Sequence, residues 1–165
     1  MQFEAPSGYP LGTNKTFKIA ATFLIPLLTI LTKRDWRGAK NIPKSGPVIV
    51  ISNHVSYADA LVFAHYLYGN GRAVRYLGKD SVFRIPILGK IILSSGQIPV
   101  ARESDKASHA LDSALGLLEA GHCVGIYPEG TLTRDENLWP MVAKTGIARL
   151  AIVSKAPVIP VAQWG

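Results

Sequence analysis

Short β-branched runs alternate with helix-period segments from residue 47 to residue 161, and nothing else in the chain limits its fold so strongly. Pro47–Ser52 (PVIVIS) reads as a buried strand, because a short apolar run rich in Val and Ile suits a strand covered on both faces. Val74–Leu77, Ile98–Ala101, Cys123–Tyr127 and Val158–Val161 are four further strand candidates. The segments between them carry helical signals. Ser56 and Asp59 form an S-x-x-D start, apolar residues recur from Ala60 to Tyr68, and Gly69-Asn70-Gly71 stops that helix. Lys79–Leu93 reads as helical in two pieces broken at Pro86 and Gly89. Ser104–Ala120 has a helical apolar stripe ended by Gly121, and a last helix covers Lys144–Ser154. The alternation predicts an α/β fold: a mainly parallel sheet with helices on both faces. In such sheets chemistry sits at the carboxyl ends of the strands, which puts His54, Arg102 and Glu129 along one rim.

Residues 1–46 stand apart from this pattern, so the chain divides into a segment 1–46 and a domain 47–165. Ile19–Thr32 is a run of fourteen uncharged residues between Lys18 and Lys33. A helix of that run reaches roughly 21 Å, short of the ~30 Å hydrocarbon core. Pro26 in its middle also removes a helical donor, which speaks against a straight, independent span. Lys33-Arg34-Asp35-Trp36-Arg37 follows, where a signal peptide would need a small-residue cleavage site; it reads as an interfacial anchor with Trp36 at headgroup depth. The expectation is an apolar helix resting on the membrane interface, with a buried first helix of a soluble fold as the competing reading.

Charge supports the lipid surface. Of the net charge of +7, residues 1–46 contribute +5, from seven Lys/Arg against Glu4 and Asp35. The basic surplus therefore flanks the most apolar stretch. A nucleic-acid groove would intersperse Arg and Lys with exposed aromatics on folded elements, and no such run exists, so nucleic acid is not an expected partner. Apolar residues make up 48% and charged residues 18%, too greasy for disorder. A single cysteine, Cys123, excludes an internal disulfide, and no CxxC or HExxH pattern offers a metal site.

The chemistry-bearing segment is Asn53-His54-Val55-Ser56-Tyr57-Ala58-Asp59. On one continuous helix, residues five apart are turned by about 140°, so His54 and Asp59 would face different ways. They meet only if His54 lies in the loop before the helix and Asp59 in its first turn, as the Ser56 start predicts. Asp59 then accepts the imidazole N–H and leaves the other ring nitrogen free to take a proton. Spacing alone leaves a second reading open, a loop histidine beside a carboxylate that merely favours the helix dipole. There is no G-x-S-x-G elbow, S-x-x-K or P-loop. Cys123 begins an apolar strand and reads as an inert core thiol. A His–Asp pair without a protein nucleophile must activate water or a substrate hydroxyl. His65, His109 and His122 read as solvated or core residues, Arg72 and Arg75 as a solvated edge, and one of Lys79, Arg84 and Lys90 as an anion ligand.

Four blocks in order resemble the glycerolipid acyltransferases, most closely the 1-acyl-glycerol-3-phosphate acyltransferases. Asn53-His54-x-Ser56-x-x-Asp59 matches the first block in full. Lys79-x-x-x-Phe83-x-x-Pro86-x-x-Gly89, continuing to Gly96-x-Ile98-x-Val100-x-Arg102, resembles the second. Tyr127-Pro128-Glu129-Gly130-Thr131 resembles the third and Val158-Ile159-Pro160-Val161 the fourth. The resemblance implies a membrane-associated O-acyltransferase moving a fatty acyl group from acyl-CoA or acyl carrier protein to the free hydroxyl of 1-acyl-glycerol-3-phosphate. It implies His54 as general base and Asp59 as its partner, with Arg102, Glu129 and Gly130 on the substrate side; Thr131 of the third block, Arg134 and Lys79 are further substrate-binding candidates. The thioester is a co-substrate, and no further cofactor is implied. The expected location is the cytoplasmic face of the cell membrane. Backbone N–H groups at the Ser56 helix start are expected to meet the oxyanion.

This chain departs from the family pattern twice. After Glu129-Gly130-Thr131 the family usually places an arginine, whereas here Leu132-Thr133-Arg134 follows, so Arg134 is expected to reach the phosphate from a longer loop. The sequence also stops at Gly165, directly after the fourth block, where relatives commonly continue, so a truncated C-terminal part is expected. Two rival readings stay open: an acyltransferase for glycerol-3-phosphate, another lysophospholipid or a glycolipid, and a non-catalytic lipid-binding relative.

Overall fold

Val48 and Val50 point to one side of strand β1 (Val48–Ser52) and Ile49 to the other, yet all three are fully buried. A strand that is apolar on both faces must be covered on both. In the computed structural model, which describes residues 3–100 and 104–164, it is. The other strands are β2 (Val74–Lys79), β3 (Ile98–Val100), β4 (Cys123–Ile126) and β5 (Val158–Val161). They form one sheet in the order β3-β2-β4-β1-β5, every neighbouring pair parallel.

Helix α2 (Asp59–Gly69) covers one face: Phe63, Tyr66 and Leu67 pack with Val48, Val50, Val74 and Cys123. Of the remaining helices, α3 is Asp80–Phe83, α4 is Leu88–Ser94, α5 is Ser104–Glu119 and α6 is Gly146–Ser154. α5 and α6 cover the opposite face, where Ala114, Leu117, Leu118 and Leu150 pack with Ile49, Ile98 and Val124. The loop after β1 thus leads to one face and the loop after β4 to the other. Between adjacent strands this divergence opens a crevice at their carboxyl ends. The expected mainly parallel sheet with two covered faces is present.

Two boundaries moved for identifiable reasons. α2 starts at Asp59 instead of Ser56, because the Asp59 carboxylate accepts hydrogen bonds from Val55 and Ser56 N–H and so holds residues 54–58 as a turn. Gly89 lies inside α4 and does not break it. Its missing Cβ lets the helix pass against the Phe83 carbonyl, and the break falls at Arg84–Ile87. Arg72 and Arg75, expected at a solvated edge, are buried. Arg72 donates to the carbonyls of Pro43 (2.8 Å) and Gly46 (2.7 Å), and Arg75 to those of Ser95 and Gly12. Converging loop ends supply these carbonyls, which is what allows two guanidinium groups to lie inside.

The N-terminal apolar run forms helix α1 (Lys15–Leu31), seventeen residues with Pro26 inside. Asn14 caps it by accepting from Phe17 N–H (2.8 Å) and ties it to α4 by donating to the Ser94 carbonyl (2.8 Å). α1 packs on α4 and α2, burying Ala21 and Leu28 while Phe23 is 75% exposed and Ile30 81%. Among the described residues no helix is long and apolar enough to cross a membrane. Trp36, expected at headgroup depth, packs edge-on against His65 (4.9 Å) and Tyr66 (5.6 Å) of α2.

Candidate active site

His54 follows β1 at the crevice, and its ring, backbone N–H and carbonyl are each engaged by a different segment. Nδ1 lies 3.0 Å from Asp59 Oδ2. The same oxygen accepts from Val55 N–H (2.6 Å) and Ser56 N–H (2.9 Å). An oxygen already facing two donors is an acceptor, so Nδ1 carries the hydrogen and donates it. Nε2 is thereby the nitrogen left for a substrate proton. The side chains are 18% and 7% exposed respectively. The loop-then-first-turn arrangement expected from the Ser56 start is the one observed. Of the N–H groups at that helix start, those of Val55 and Ser56 are taken by Asp59 and that of Ala58 by Ser56 Oγ (3.2 Å).

Glu129 binds the two loops together. Its Oε1 accepts from His54 N–H (3.2 Å) and its Oε2 from Met141 N–H (2.9 Å), with the residue 4% exposed. The His54 carbonyl in turn accepts from Thr133 N–H (2.7 Å). Arg134 is therefore one residue beyond a backbone contact with His54, on an exposed loop position. Thr131 is half-buried on the same loop. Gly130 has φ +71°, a conformation that costs a glycine least, and the Lys144 ammonium lies over it, 2.8 Å from where a Cβ would stand. Lys79 ends β2 on the same rim, exposed and in register with Val100 of β3. Arg102 lies outside the described residues.

Aromatic rings form the floor. The Tyr127 ring stacks on the His54 imidazole with centroids 4.0 Å apart and planes 18° from parallel. Behind it lie Tyr76 (6.1 Å, 13°) and Phe63 (6.5 Å, 60°). Gly125 makes this layer possible, since a Cβ there would meet the Tyr76 ring at 2.6 Å. Burial pushes both tyrosine hydroxyls well above their ordinary value of about 10, so both rings are neutral. Tyr127 had been visible only as the first residue of a motif, and Lys144 carried no signal of its own; both needed the third dimension. Cys123 is buried and its thiol is pushed up to about 12 by that burial, so it is no nucleophile.

A groove of about 630 Å³ opens beside Glu129 and Asn53, walled by the apolar side chains of Leu138, Trp139, Met141 and Val161. Asn53 shapes its inner end by pairing with the Gln163 backbone at both N–H and carbonyl, 2.8 Å and 2.9 Å, which extends the β1–β5 ladder.

Residues 33–164 match the family model described as Acyltransferase. The chain is 30% identical over 135 residues to a chloroplastic 1-acyl-sn-glycerol-3-phosphate acyltransferase of Brassica napus, covering 81% of this chain and 38% of that protein. It is 32% identical over 128 residues to the 1-acyl-sn-glycerol-3-phosphate acyltransferase of Borreliella burgdorferi, 77% of this chain and 49% of the other. The protein of that name from Bacillus subtilis is 24% identical over 149 residues, 90% of this chain and 71% of the other. The chain thus spans less than half the length of the first two relatives.

Proposed function

The chain belongs to the acyltransferase family, and from that premise we propose that it moves a fatty acyl group from a thioester to the free hydroxyl of 1-acyl-glycerol-3-phosphate, giving phosphatidic acid. The donor is acyl-CoA or acyl carrier protein. The observation that carries the reading is the histidine held on Nδ1 by a buried carboxylate with two further backbone donors, leaving Nε2 as a base. The acceptor hydroxyl attacks the thioester carbonyl carbon while Nε2 takes its proton. The tetrahedral intermediate collapses, the C–S bond breaks, and the imidazolium returns the proton to the leaving thiolate. An ester and a free thiol result, and the step balances without a further cofactor. Thioesters are activated, so positioning and a base suffice without a covalent enzyme intermediate.

Arg102 and Arg134 are proposed to grip the phosphate, with Lys79 on the same rim. Glu129, Gly130 and Thr131 order the loop on which the acceptor rests. The apolar groove beside Glu129 seats an acyl chain. The exposed apolar residues of α1 and α4, Phe23, Ile30, Leu31, Ile91 and Leu93 among them, are proposed to rest on a lipid surface, with Lys15, Lys18, Lys33 and Arg34 meeting anionic headgroups. The proposed location is the cytoplasmic face of the cell membrane.

The test is thiol release from acyl-CoA by the protein on lipid vesicles, with a panel of acceptors. Release that needs the phosphomonoester of 1-acyl-glycerol-3-phosphate is expected. Equal use of its dephosphorylated analogue, or preference for glycerol-3-phosphate or a head-grouped lysophospholipid, moves the acceptor. No thiol release with any acceptor, from acyl-CoA or from the thioester of acyl carrier protein, leaves a lipid-binding relative without turnover.

A further inference from the structure

We propose that Tyr127 is a positioning residue for the transfer: its ring face fixes the plane of the His54 imidazole and stabilises the imidazolium formed when His54 takes the acceptor's proton. The inference rests on the acyl-transfer reading above. Asp59 alone holds one atom of the imidazole, Nδ1, and leaves the ring free to rotate about that contact. The Tyr127 face removes this freedom.

The form of the stack says more. Neutral aromatic rings prefer offset or edge-on arrangements with centroids 4.5–7 Å apart. At 4.0 Å and 18° there is room for only a small offset between Tyr127 and His54. Such a face-on approach suits a cation over a π-face, so it favours the imidazolium produced when His54 takes the acceptor's proton. Tyr127 cannot yield, because Tyr76 and Phe63 pack behind it. Its buried hydroxyl interacts with Gln163 and with the Tyr76 hydroxyl, so hydroxyl and ring face both help to place the ring, and Tyr127→Phe separates the two contributions.

The experiment compares wild type, Tyr127→Phe, Tyr127→Leu and His54→Ala by steady-state kinetics, with the His54 ring protons followed by NMR. Tyr127→Leu keeps apolar bulk and loses the π-face. Its kcat should fall about 3- to 30-fold with KM for both substrates within about twofold, the scale of a cation–π contact. Tyr127→Phe keeps the face and should stay within about twofold of wild type. Ring-current shielding should move the His54 carbon-bound protons upfield in wild type and Tyr127→Phe, and the shift should vanish in Tyr127→Leu. Full kcat in Tyr127→Leu, a Tyr127→Phe variant as slow as Tyr127→Leu, or unshifted His54 protons in wild type would each overturn the proposal while leaving acyl transfer standing. Should Tyr127→Leu fail to fold, the Phe variant and the wild-type spectrum still decide. Wild type without transfer, or His54→Ala with full transfer, removes the acyl-transfer reading and this inference with it.

Discussion

Replacing Asp59 with asparagine separates the charge of this residue from its shape. The Asp59→Asn amide oxygen can occupy the place of Oδ2 and still accept from Val55 N–H, Ser56 N–H and His54 Nδ1–H. The turn before α2 should therefore survive, and Tm should fall only by the difference between charged and neutral hydrogen bonds. What disappears is the negative charge beside a ring that, in the proposed transfer, becomes positive in the transition state. Two unit charges about 4 Å apart at an effective dielectric of about 20 interact by about 4 kcal/mol. With His54 18% and Asp59 7% exposed, water screens part of that, so 3–4 kcal/mol is the working range. At 1.36 kcal/mol per decade this is roughly a 10²–10³-fold loss in kcat. Asp59→Ala should lose similar activity and also destabilise the fold, because two backbone N–H groups lose their acceptor. The assay is thiol release at saturating substrate, with thermal melts of each variant. An Asp59→Asn enzyme with more than a tenth of wild-type kcat and an unchanged melt would refute the reasoning.

Phosphate recognition should follow the arginines: Arg102→Lys should weaken acceptor use by roughly 1–3 kcal/mol, since a lysine cannot reproduce the guanidinium fork, while Arg134→Ala should narrow the gap in kcat/KM between the phosphomonoester and its dephosphorylated analogue. If neither variant narrows that gap, Lys79 and Lys144 become the phosphate ligands to test. Phe23→Glu with Ile30→Glu on α1 should abolish flotation with anionic vesicles and raise KM for the lipid acceptor, whereas high salt alone should release the wild type only partly; complete release by salt would defeat the apolar contact. Burial lowers the affinity of His65 and His122 for a proton, so their contribution to stability is complete above pH 6.5 and declines as the pH falls below it, by at most about 1.4 kcal/mol per pH unit for each. Melts between pH 7.5 and 5 should show Tm falling on the acid side, with a shallower slope in His122→Asn; a flat profile would contradict the burial argument.

The strands and the covering of both sheet faces were legible because period and composition record burial, as in Val48-Ile49-Val50, whereas the order of the strands in the sheet was not. The His54–Asp59 pair was legible only in part: spacing named the one local arrangement that closes a five-residue gap but left a plain loop histidine open, and the four-block resemblance carried the choice. Residues whose surroundings come from distant segments were not legible. Arg72 and Arg75 look like solvated charges until the carbonyls of Pro43, Gly46, Ser95 and Gly12 are brought to them. Trp36 looks like an interfacial aromatic until α2 offers it His65 and Tyr66. The capture of the Val55 and Ser56 N–H groups by Asp59 was not legible either, since it depends on the carboxylate turning back onto the loop before its own helix.

His54 itself shows why this site needs a sheet of this topology. Its imidazole edge is held from α2, its N–H from Glu129 in the loop after β4, its carbonyl from Thr133 further along that loop, and its ring face from Tyr127 at the end of β4. These contacts come from both connections that diverge at the β1–β4 crevice, so the imidazole is set only when both are folded. The two carboxylates involved, on Asp59 and Glu129, are buried and satisfied by backbone N–H groups, which need no cation and are fixed by the fold itself. Arg134, Lys79 and Lys144 therefore need not be drawn into neutralising those carboxylates. Positive charge left at the rim in this way is what a phosphomonoester acceptor requires.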